Sequence, residues 1–460
     1  MRWTEIPKIE LGTGLEGRIL ALPLAQDRGA ARSMVGTAPI EEDFYRSNKA
    51  RIIEHGNKII VAVGVEGEKD ARIFGAKAWN TVESALGPVK FHLIPDFLPE
   101  EKVLEGALLA SYRYDMKTEK KKRPWIVFHG KEETIRRVLP VVKGVYIARD
   151  IANAPANEVY PEKLAEMARE LLGGTGVDVE VYPSSWLEEK GFGGIVAVGK
   201  GSANKPRLIV MKYLKGRGEP VLLVGKGVCF DAGGIHLKPT GSIEDMKMDV
   251  SGGAAVIGAM YAVATIGLKV NVVGIVPAVE NLPSAEATKP GDVVKMYNGK
   301  TVEVVNTDAE GRLIIADAIA YGIERFKPSY VVDLATLTGA CIVALGKRVA
   351  GIMGNDGELL EQLKRAGKEA EEEVWELPMF DHYGEELKSE VADLKNVGEK
   401  SGAGAIIGAK FLENFAGKTP WAHIDIAGPA IADKPWLWNP KGGTGFGVRL
   451  VVEWLKSLSF

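Results

Sequence analysis

The stretch Val221-Leu-Leu-Val224 is a short apolar run that is followed at once by Gly225 and Lys226. A run of this length, bounded by glycine, is typical of a strand that is buried on both faces. Comparable runs alternate with stretches of helical periodicity at residues 207–211, 270–275, 302–305 and 330–333. This alternation predicts an α/β fold in which a mostly parallel central sheet is flanked by helices.

The first third of the chain shows the same kind of alternation with shorter strands. Ile59-Ile-Val-Ala-Val-Gly-Val65 and Trp125-Ile-Val-Phe128 are separated by charged segments of helical periodicity. Ala152-Asn-Ala-Pro-Ala-Asn157 then interrupts the pattern, and Pro161 opens a new helix. Because 460 residues exceed what one core usually serves, we expect two domains. These are a smaller N-terminal α/β domain over residues 1–150, a linker over 151–160 and a larger C-terminal domain over 161–460.

The charge balance argues against a nucleic acid as the main partner. Lys and Arg total 58 against 61 for Asp and Glu, which gives a formal net charge of −3. The basic run Lys117-Thr-Glu-Lys-Lys-Lys-Arg123 would suit either a nucleic-acid patch or a solvated hairpin tip, and the overall charge favours the hairpin tip. We therefore expect a small or neutral substrate.

Cysteine content and the N-terminus indicate a cytoplasmic protein. The chain has two cysteines, too few for a disulfide framework. Met1-Arg-Trp-Thr-Glu-Ile-Pro-Lys8 carries charge from the start and lacks the apolar core of a signal peptide. Residues 250–268 are uncharged and nearly long enough to span a membrane, but their glycines favour a helix buried in a soluble core, so no membrane partner is expected.

Several common catalytic motifs are absent. H-E-x-x-H and G-x-S-x-G do not occur, and the histidines are dispersed. Asn298-Gly-Lys-Thr301 resembles the end of a phosphate-binding loop, but Val294 stands where the first glycine of that motif belongs. The Asn-Gly pair predicts instead a hairpin turn between two short strands.

The octapeptide Asn306-Thr-Asp-Ala-Glu-Gly-Arg-Leu313 concentrates charge beside a strand. In an extended chain Asp308, Glu310 and Arg312 would share one face, so we predict that the segment is extended. Two adjacent carboxylates repel each other unless a cation lies between them, and Gly311 would let the backbone approach such a site closely. The alternative is that Asp308 caps the following helix while Glu310 and Arg312 form a surface ion pair.

Two further segments place charge at comparable positions. Lys226, Asp231 and Lys238 follow the strand at 221–224, and Asp249 stands at the start of the uncharged stretch. Taken alone, the lysines would reach solvent or pair with local acids, and Asp249 would cap a helix. Because all three segments project acids or lysines from a strand end or a helix start, together they favour a metal site.

The three segments resemble, in order and spacing, the signatures of the leucyl aminopeptidase family, also called cytosol aminopeptidases. The octapeptide is that family's most diagnostic string, and the resemblance covers nearly all of the second domain. It implies that Asp231 and Glu310 bridge two metal ions, with Lys226 and Asp249 on one ion and Asp308 on the other. It also implies further site residues. Lys238 and Arg312 would be catalytic, and Met246, Asn306, Thr336 and Gly339 would contact substrate.

The implied cofactors are two divalent cations, Zn²⁺ or Mn²⁺ with Mg²⁺ or Co²⁺ as alternatives. Four carboxylates balance two such ions, so Lys226 would bind as a neutral amine. The ions would activate a water molecule, Lys238 would stabilise the oxyanion, and Arg312 would hold a bicarbonate as general base. The family further implies small peptides with Leu-like or other apolar N-terminal residues as substrates, and a homohexamer.

Two other functions fit parts of the pattern. The fold would also suit DNA binding or scaffolding, but the complete set of site residues and the lack of net positive charge argue against this function. Paired metals and acids would also suit a phosphoesterase. An aminoacyl anilide tested against a phosphate monoester separates the two enzymatic functions.

Overall fold

The computed structural model describes residues 3–13, 17–26, 42–398 and 402–459. The chain divides into two compact units, one made of Arg2–Tyr146 with Asp433–Lys441 and the other of Ile147–Ala432 with Gly442–Phe460. The membership of Asp433–Lys441 in the first unit has no counterpart in the sequence patterns. The linker over residues 151–160 stays a prediction, and a helix enters its first residues.

The first unit contains a mixed sheet. Its described strands are β1 (Ile9–Leu11), β2 (Ile19–Leu24), β3 (Ala50–His55), β4 (Lys58–Gly64), β5 (Lys90–Leu93) and β6 (Trp125–Phe128), in the order β1-β6-β5-β2-β4-β3. The described helices that begin in this part of the chain are α1 (Ala71–Thr81), α2 (Glu100–Ala110) and α3 (Glu132–Asn153), with short 3₁₀ or π turns at Glu42–Arg46, Glu68–Asp70 and Val82–Leu86. Neighbouring strands are parallel except β3 and β4, which form an antiparallel pair. The predicted α/β character of this region is therefore confirmed.

The second unit carries the larger sheet. Its described strands are β7 (Asp178–Pro183), β8 (Arg207–Leu214), β9 (Val221–Gly225), β10 (Gly227–Asp231), β11 (Asn271–Asn281), β12 (Val293–Lys295), β13 (Thr301–Glu303), β14 (Tyr330–Ala335), β15 (Ala350–Gly354), β16 (Val374–Glu376), β17 (Leu394–Lys395), β18 (Trp421–Asp425), β19 (Ile431–Ala432) and β20 (Gly442–Gly443). Its described helices are α4 (Pro161–Leu172), α5 (Ser184–Lys190), α6 (Gly193–Gly199), α7 (Ser251–Ile266), α8 (Gly311–Phe326), α9 (Gly339–Leu345), α10 (Gly357–Ala370), α11 (His382–Glu385), α12 (Gly404–Ala416) and α13 (Val448–Ser457), with a 3₁₀ turn at Met246–Val250.

The centre of this larger sheet is parallel, as predicted. The strand order is β16-β15-β18-β14-β9-β11-β8-β7, and β18, β14, β9 and β11 run in one direction, with β10 continuing beside β11. Antiparallel pairs occur toward both edges, where β8 meets β11 and β15 meets β18. Because the central strands run in one direction, their carboxyl ends share one edge, where ligands bind in such sheets.

The uncharged stretch forms a core helix. Within the described residues, Met246–Ile266 is the one helical segment long and apolar enough to cross a membrane, and 83% of its most apolar window is buried. Gly252 and Gly253 let the start of α7 contact the strands beneath it. A Cβ atom on Gly252 would lie 2.1 Å from the carbonyl oxygen of Leu334 in β14. Burial against the sheet explains the apolar composition of α7.

Two smaller expectations had different outcomes. β12 and β13 pair in antiparallel fashion, and Gly299 between them has φ +87°, so the Asn-Gly hairpin is confirmed. The basic run at 117–123 is a connection from α2 to β6 rather than a hairpin tip. Its lysines are exposed, which agrees with a solvated segment.

Candidate metal centre

The three charged segments meet at the carboxyl edge of the parallel strands. Lys226 directly follows β9, Asp231 ends β10, and Asp308 and Glu310 precede α8. Carboxylate oxygens of Asp231, Asp308 and Glu310 all lie within 4.8 Å of one another. The structure therefore brings together side chains, such as those of Asp231 and Glu310, that are far apart in the chain.

Lys226 links the remaining acid to this group. Its Nζ lies 2.6 Å from Asp249 Oδ2 and 2.8 Å from Glu310 Oε1, and it donates to the carbonyl oxygen of Thr336 at 3.0 Å. Gly311 makes room for this side chain, because a Cβ atom there would lie 2.5 Å from Lys226 Cε. The close approach predicted at Gly311 is thus confirmed, with a lysine as the neighbour.

Lys238 contacts the other two acids. Its Nζ lies 2.8 Å from Asp231 Oδ2 and 2.5 Å from Asp308 Oδ1. The second oxygen of Asp231 accepts from the backbone N–H of Gly233 at 2.9 Å and from Asn281 Nδ2 at 2.8 Å. Each lysine therefore connects two of the four carboxylates.

The alternative explanations for the acids do not match the structure. The residue at the start of α8 is Glu310, that of α7 is Val250, and neither helix has a side-chain cap. Asp249 instead accepts from Thr336 Oγ1 at 2.7 Å. Glu310 and Arg312 are both buried, so they do not form a surface ion pair.

The octapeptide does not adopt the extended conformation that we predicted. A turn occupies residues 307–308, closed by a bond from Ala309 N to Asn306 O at 3.3 Å, and α8 begins at Gly311. Asp308 lies in the turn, while Glu310 stands at the helix start. The carboxylates converge because the chain turns, and alternation along a strand plays no part.

Burial dominates the ionisation of the acids. It raises the pKa of Asp231 to about 6, with Glu310 acting in the same direction while Lys226 and Lys238 oppose it. Burial likewise raises the pKa of Asp249 and that of Glu310 above their ordinary values, against the effect of Lys226. Desolvated carboxylates of this kind favour a cation as partner.

The basic groups respond in opposite directions. Burial acts to lower the pKa of Lys226, but Asp249, Glu310 and Asp231 hold it above its ordinary value. Burial also acts to lower the pKa of Lys238, and Asp231 and Asp308 raise it overall. Burial lowers the pKa of Arg312 to about 10 although Glu310 and Asp425 oppose this. The neutral form of Lys226 that the family implies therefore needs cations among these carboxylates, and it stays a prediction.

The donor set fits divalent cations. Four carboxylates face two ammonium groups, so the cluster keeps a negative charge. Glu310 Oε2 is buried and has no hydrogen-bond partner among the described residues. Such an atom is costly to bury unless it binds a cation. Hard oxygen donors with one amine suit Zn²⁺, Mn²⁺, Mg²⁺ or Co²⁺.

The residues assigned to substrate surround this cluster unequally. Thr336 contacts Asp249 directly, and Met246 opens the 3₁₀ turn that carries Asp249. Gly339 begins α9 at an exposed position, where an added Cβ atom would have no neighbour within 4 Å. Asn306 Oδ1 accepts from the N–H of Asp308 at 2.9 Å, so it supports the turn. Contacts of these four residues with substrate stay predictions.

Sequence analysis missed two asparagines that support the acids. Asn281, at the end of β11, donates to Asp231 Oδ1 and to the carbonyl oxygen of Thr307 at 3.0 Å. A polar residue at the end of an apolar strand next to β9 is a usable signal. Asn396 contacts the octapeptide from a distant part of the chain, and no local pattern marks it.

Comparison with known proteins agrees with this geometry. The profile of the cytosol aminopeptidase family, catalytic domain, matches residues 146–452. A probable cytosol aminopeptidase of Syntrophotalea carbinolica is 48% identical over 370 residues, which cover 77% of this chain and 74% of that protein.

Two solved structures are similar over almost the whole chain. The cytosol aminopeptidase from Coxiella burnetii has a TM-score of 0.87 at 30% identity, covering 98% of this chain and 99% of that one. The bottromycin maturation enzyme BotP in complex with Mn has a TM-score of 0.87 at 35% identity, covering 96% and 100%. Fold, site chemistry and sequence agree, and the chain belongs to the cytosol aminopeptidase family as a metallo-aminopeptidase that uses two divalent cations.

Proposed function

We propose that this protein hydrolyses the first peptide bond of small peptides with Leu-like or other apolar N-terminal residues. The observation that carries the proposal is the cluster in which Lys226 and Lys238 connect Asp231, Asp249, Asp308 and Glu310. The residues that would hold the cations are Lys226, Asp231, Asp249, Asp308 and Glu310. Manganese is a reasonable occupant because the similar BotP structure is a complex with Mn.

The cations supply the charge that lowers the pKa of a water molecule and polarises the scissile carbonyl. Carboxylate oxygens of Asp231 and Glu310 lie within 4.8 Å of each other and of Asp308, which supports the proposal that these acids would hold the cations together. Lys238 would be protonated at neutral pH, because the ordinary pKa of a lysine side chain lies well above 7. Its ammonium can therefore stabilise the negative charge that develops on the carbonyl oxygen.

Arg312 would bind an anion beside the cluster. Its guanidinium is buried, Nη1 donates to the carbonyl oxygen of Asn396 at 2.7 Å, and Nε has no hydrogen-bond partner among the described residues. A neutral carbonyl leaves the positive charge of the guanidinium available for an anion. We propose bicarbonate, acting as general base, as that anion.

The side-chain pocket would be apolar and uncharged. Met246 is half-buried, Thr336 presents its hydroxyl to Asp249, and Gly339 leaves open space at the start of α9. A pocket lined by these three uncharged residues would disfavour a charged N-terminal side chain, because that charge would lose water without gaining a partner.

An anilide panel tests this proposal. After chelation and reconstitution with Mn²⁺ or Zn²⁺, we expect Leu- and Met-anilides to be cleaved with kcat/KM at least about tenfold above Arg- and Asp-anilides. Hydrolysis of a phosphate monoester in preference to every anilide would contradict the proposal, and so would a lack of any hydrolysis.

A matched pair of glycines tests the pocket. Gly339→Leu should raise KM for Leu-anilide, because the new side chain would occupy the open space at the start of α9. Gly357 also begins a helix with open space around its Cβ position, but it follows β15, whose end lies at the opposite edge of the sheet. Gly357→Leu should leave KM unchanged. If both changes had equal effects on KM, Gly339 would not line the substrate pocket.

Location and assembly complete the proposal. We propose the cytosol, since Cys229 and Cys341 are both free and buried and the relatives carry the name cytosol aminopeptidase. We propose a homohexamer from the family resemblance. Light scattering of the purified protein tests the assembly, and a monomer would contradict it.

A further inference from the structure

Asn396 directly follows β17, which pairs in parallel with β13 at Val302↔Leu394 and Glu303↔Lys395. One further backbone bond, from Asn396 N to Glu303 O at 3.0 Å, continues the pairing. The chain after β13 then leaves the ladder to form the octapeptide turn. Asn396, which is fully buried, therefore stands beside the start of the loop that carries Asp308 and Glu310.

The carboxamide of Asn396 binds backbone groups on both sides of that turn. Its Oδ1 accepts from the N–H of Val305 at 2.9 Å and of Asn306 at 3.2 Å. Its Nδ2 donates to the carbonyl oxygen of Asn306 at 2.6 Å and of Ala309 at 3.3 Å. A carboxamide offers two donors and two acceptor positions, and here all four are used. The side chain thus substitutes for the strand partner that the loop lacks.

The backbone of the same residue holds Arg312. The carbonyl oxygen of Asn396 accepts from Arg312 Nη1 at 2.7 Å. A shift of residue 396 would therefore move the metal-binding loop and the guanidinium together. Glu310 and Arg312 also flank the start of α8, so the two contacts of Asn396 fix both ends of the functional segment.

We propose that Asn396 is a positioning residue that sets the Asp308–Glu310 loop and the Arg312 guanidinium in register with each other. This inference rests on the proposed function, because the loop matters as the carrier of metal ligands. Residues that orient metal ligands by hydrogen bonds typically contribute about 10- to 100-fold to metal affinity or activity. A residue that merely stabilised the fold would affect unfolding and leave both quantities unchanged.

Two variants of Asn396 and one control test the inference. Asn396→Ala removes all four side-chain bonds, and Asn396→Asp keeps the volume and the acceptors but places a carboxylate oxygen against two carbonyl oxygens. Asn355→Ala is the control, since the Asn355 carboxamide also binds backbone groups, at Gly417, Thr419 and Trp421. It lies at the amino end of β18, away from the metal centre.

Two quantities are measured. Calorimetry gives the Mn²⁺ affinity of protein from which metal has been removed by a chelator, and a Leu-anilide assay gives kcat at saturating Mn²⁺. We expect both Asn396 variants to lose about 10- to 100-fold in Mn²⁺ affinity and to lower kcat further once saturated. We expect Asn355→Ala to lower the unfolding midpoint and to leave affinity and kcat unchanged. If Asn396→Ala does not fold, Asn396→Asp supplies the measurement.

Wild-type affinity and kcat in a folded Asn396 variant would overturn the inference. An equal loss of affinity in Asn355→Ala would also overturn it, because the effect would then be general destabilisation. Failure of the proposed function is distinguishable, since it appears as wild-type protein that binds Mn²⁺ and cleaves no anilide. In that case the Mn²⁺ titration still decides the role of Asn396.

Discussion

Lys238 has two neighbours that would both bind cations, Asp231 at 2.8 Å and Asp308 at 2.5 Å. Lys226 has the same relation to Asp249 and Glu310. The two lysines nevertheless differ in burial, because the side chain of Lys226 is 4% exposed and that of Lys238 is 13% exposed. That difference agrees with a ligand role for Lys226 and a substrate-facing role for Lys238.

Replacement of Lys238 by Ala should separate these roles. We expect kcat for Leu-anilide to fall by about 100- to 1000-fold, the usual effect of losing one donor to a developing oxyanion. Mn²⁺ affinity should not fall, because the change removes a positive charge that competes for Asp231 and Asp308. Turnover at saturating Mn²⁺ and a calorimetric titration measure the two effects.

Lys212→Ala is the matched control for this change. Lys212 also connects two carboxylates, those of Asp178 and Glu180, on the edge of the sheet away from the centre. It should leave kcat unchanged. A Lys238→Ala enzyme with both cations bound and wild-type turnover would contradict the oxyanion role.

Sequence reasoning at the residue scale succeeded where residue type alone carries the chemistry. Acids and a lysine next to strand ends or at a helix start are the predicted ligands, and the structure brings these side chains together, namely Lys226, Asp231, Asp249, Asp308 and Glu310. Asn396 is not predicted, because an asparagine that binds backbone groups leaves no spacing or charge pattern. Only the tertiary fold shows which backbone groups Asn396 contacts.

At the scale of elements, the start of α7 shows how closely the site is built. Gly253 N donates to the carbonyl oxygen of Lys226 at 2.8 Å, and Lys226 N donates to Leu334 O at 3.0 Å. The start of α7, Lys226 and β14 are therefore in direct backbone contact. Only a residue without a side chain fits at Gly252, where a Cβ atom would lie 2.9 Å from Lys226 N.

Gly252→Ala should therefore lower both the stability of the fold and the Mn²⁺ affinity of the site. The methyl group would collide with backbone, so we expect the free energy of unfolding to fall by about 1–3 kcal/mol. Mn²⁺ affinity should fall as well, since Lys226 must shift. Denaturant unfolding and metal titration measure these effects, and Gly357→Ala, at a helix start with open space, should show neither.

The hydrogen bonds of Asp317 make the attachment of neighbouring elements to α8 depend on pH. This fully buried carboxyl in α8 accepts from Tyr297 N at 2.8 Å and Ile195 N at 3.0 Å, which attaches α6 and the β12–β13 hairpin to α8. Burial raises its pKa to about 7, although the backbone donors oppose this. Between about pH 4 and pH 7 the folded protein therefore holds a proton that the unfolded chain has lost.

The stabilisation from that proton is complete below about pH 4 and is lost as pH rises through 7. Asp317→Asn cannot titrate, so the stability difference between wild type and variant should shrink by on the order of 2 kcal/mol from pH 5 to pH 8. Denaturant unfolding of both proteins at several pH values in this range provides the measurement. A difference that does not change with pH would show that the pKa of Asp317 is not raised.

Element types were predicted better than element geometry. The apolar runs around β9, β11 and β14 predict buried strands, because short runs rich in β-branched residues are typical of such strands. The octapeptide was expected to be extended, and it is a turn followed by α8. Alternation of charged residues could not reveal the turn, since the bonds that close it come partly from Asn396.

At the scale of the whole molecule, the second unit combines a large sheet with a cluster in which four carboxylates outnumber two lysines. Cations that bind only the folded form stabilise it, by about 4 kcal/mol when their concentration is a thousand times Kd. Chelation should therefore lower the thermal midpoint and abolish hydrolysis, and Mn²⁺ should restore both. Scanning calorimetry with and without Mn²⁺ provides the measurement.

Glu310→Gln is the control for metal removal. Gln keeps the size of the side chain but lacks the charge, and Glu310 is a proposed ligand whose buried Oε2 has no hydrogen-bond partner among the described residues. The thermal midpoint of this variant should respond much less to Mn²⁺. If Mn²⁺ raised the thermal midpoint of wild type and of Glu310→Gln equally, the cations would bind at a site that does not include Glu310.

The grouping of Asp433–Lys441 with the first unit affects how the protein is made. Trp438 is buried there, with the guanidinium of Arg72 5.8 Å from its ring. Arg72 is synthesised early, whereas Trp438 is synthesised only after almost all of the second unit. The first unit therefore cannot be completed until the segment Asp433–Lys441 has been synthesised.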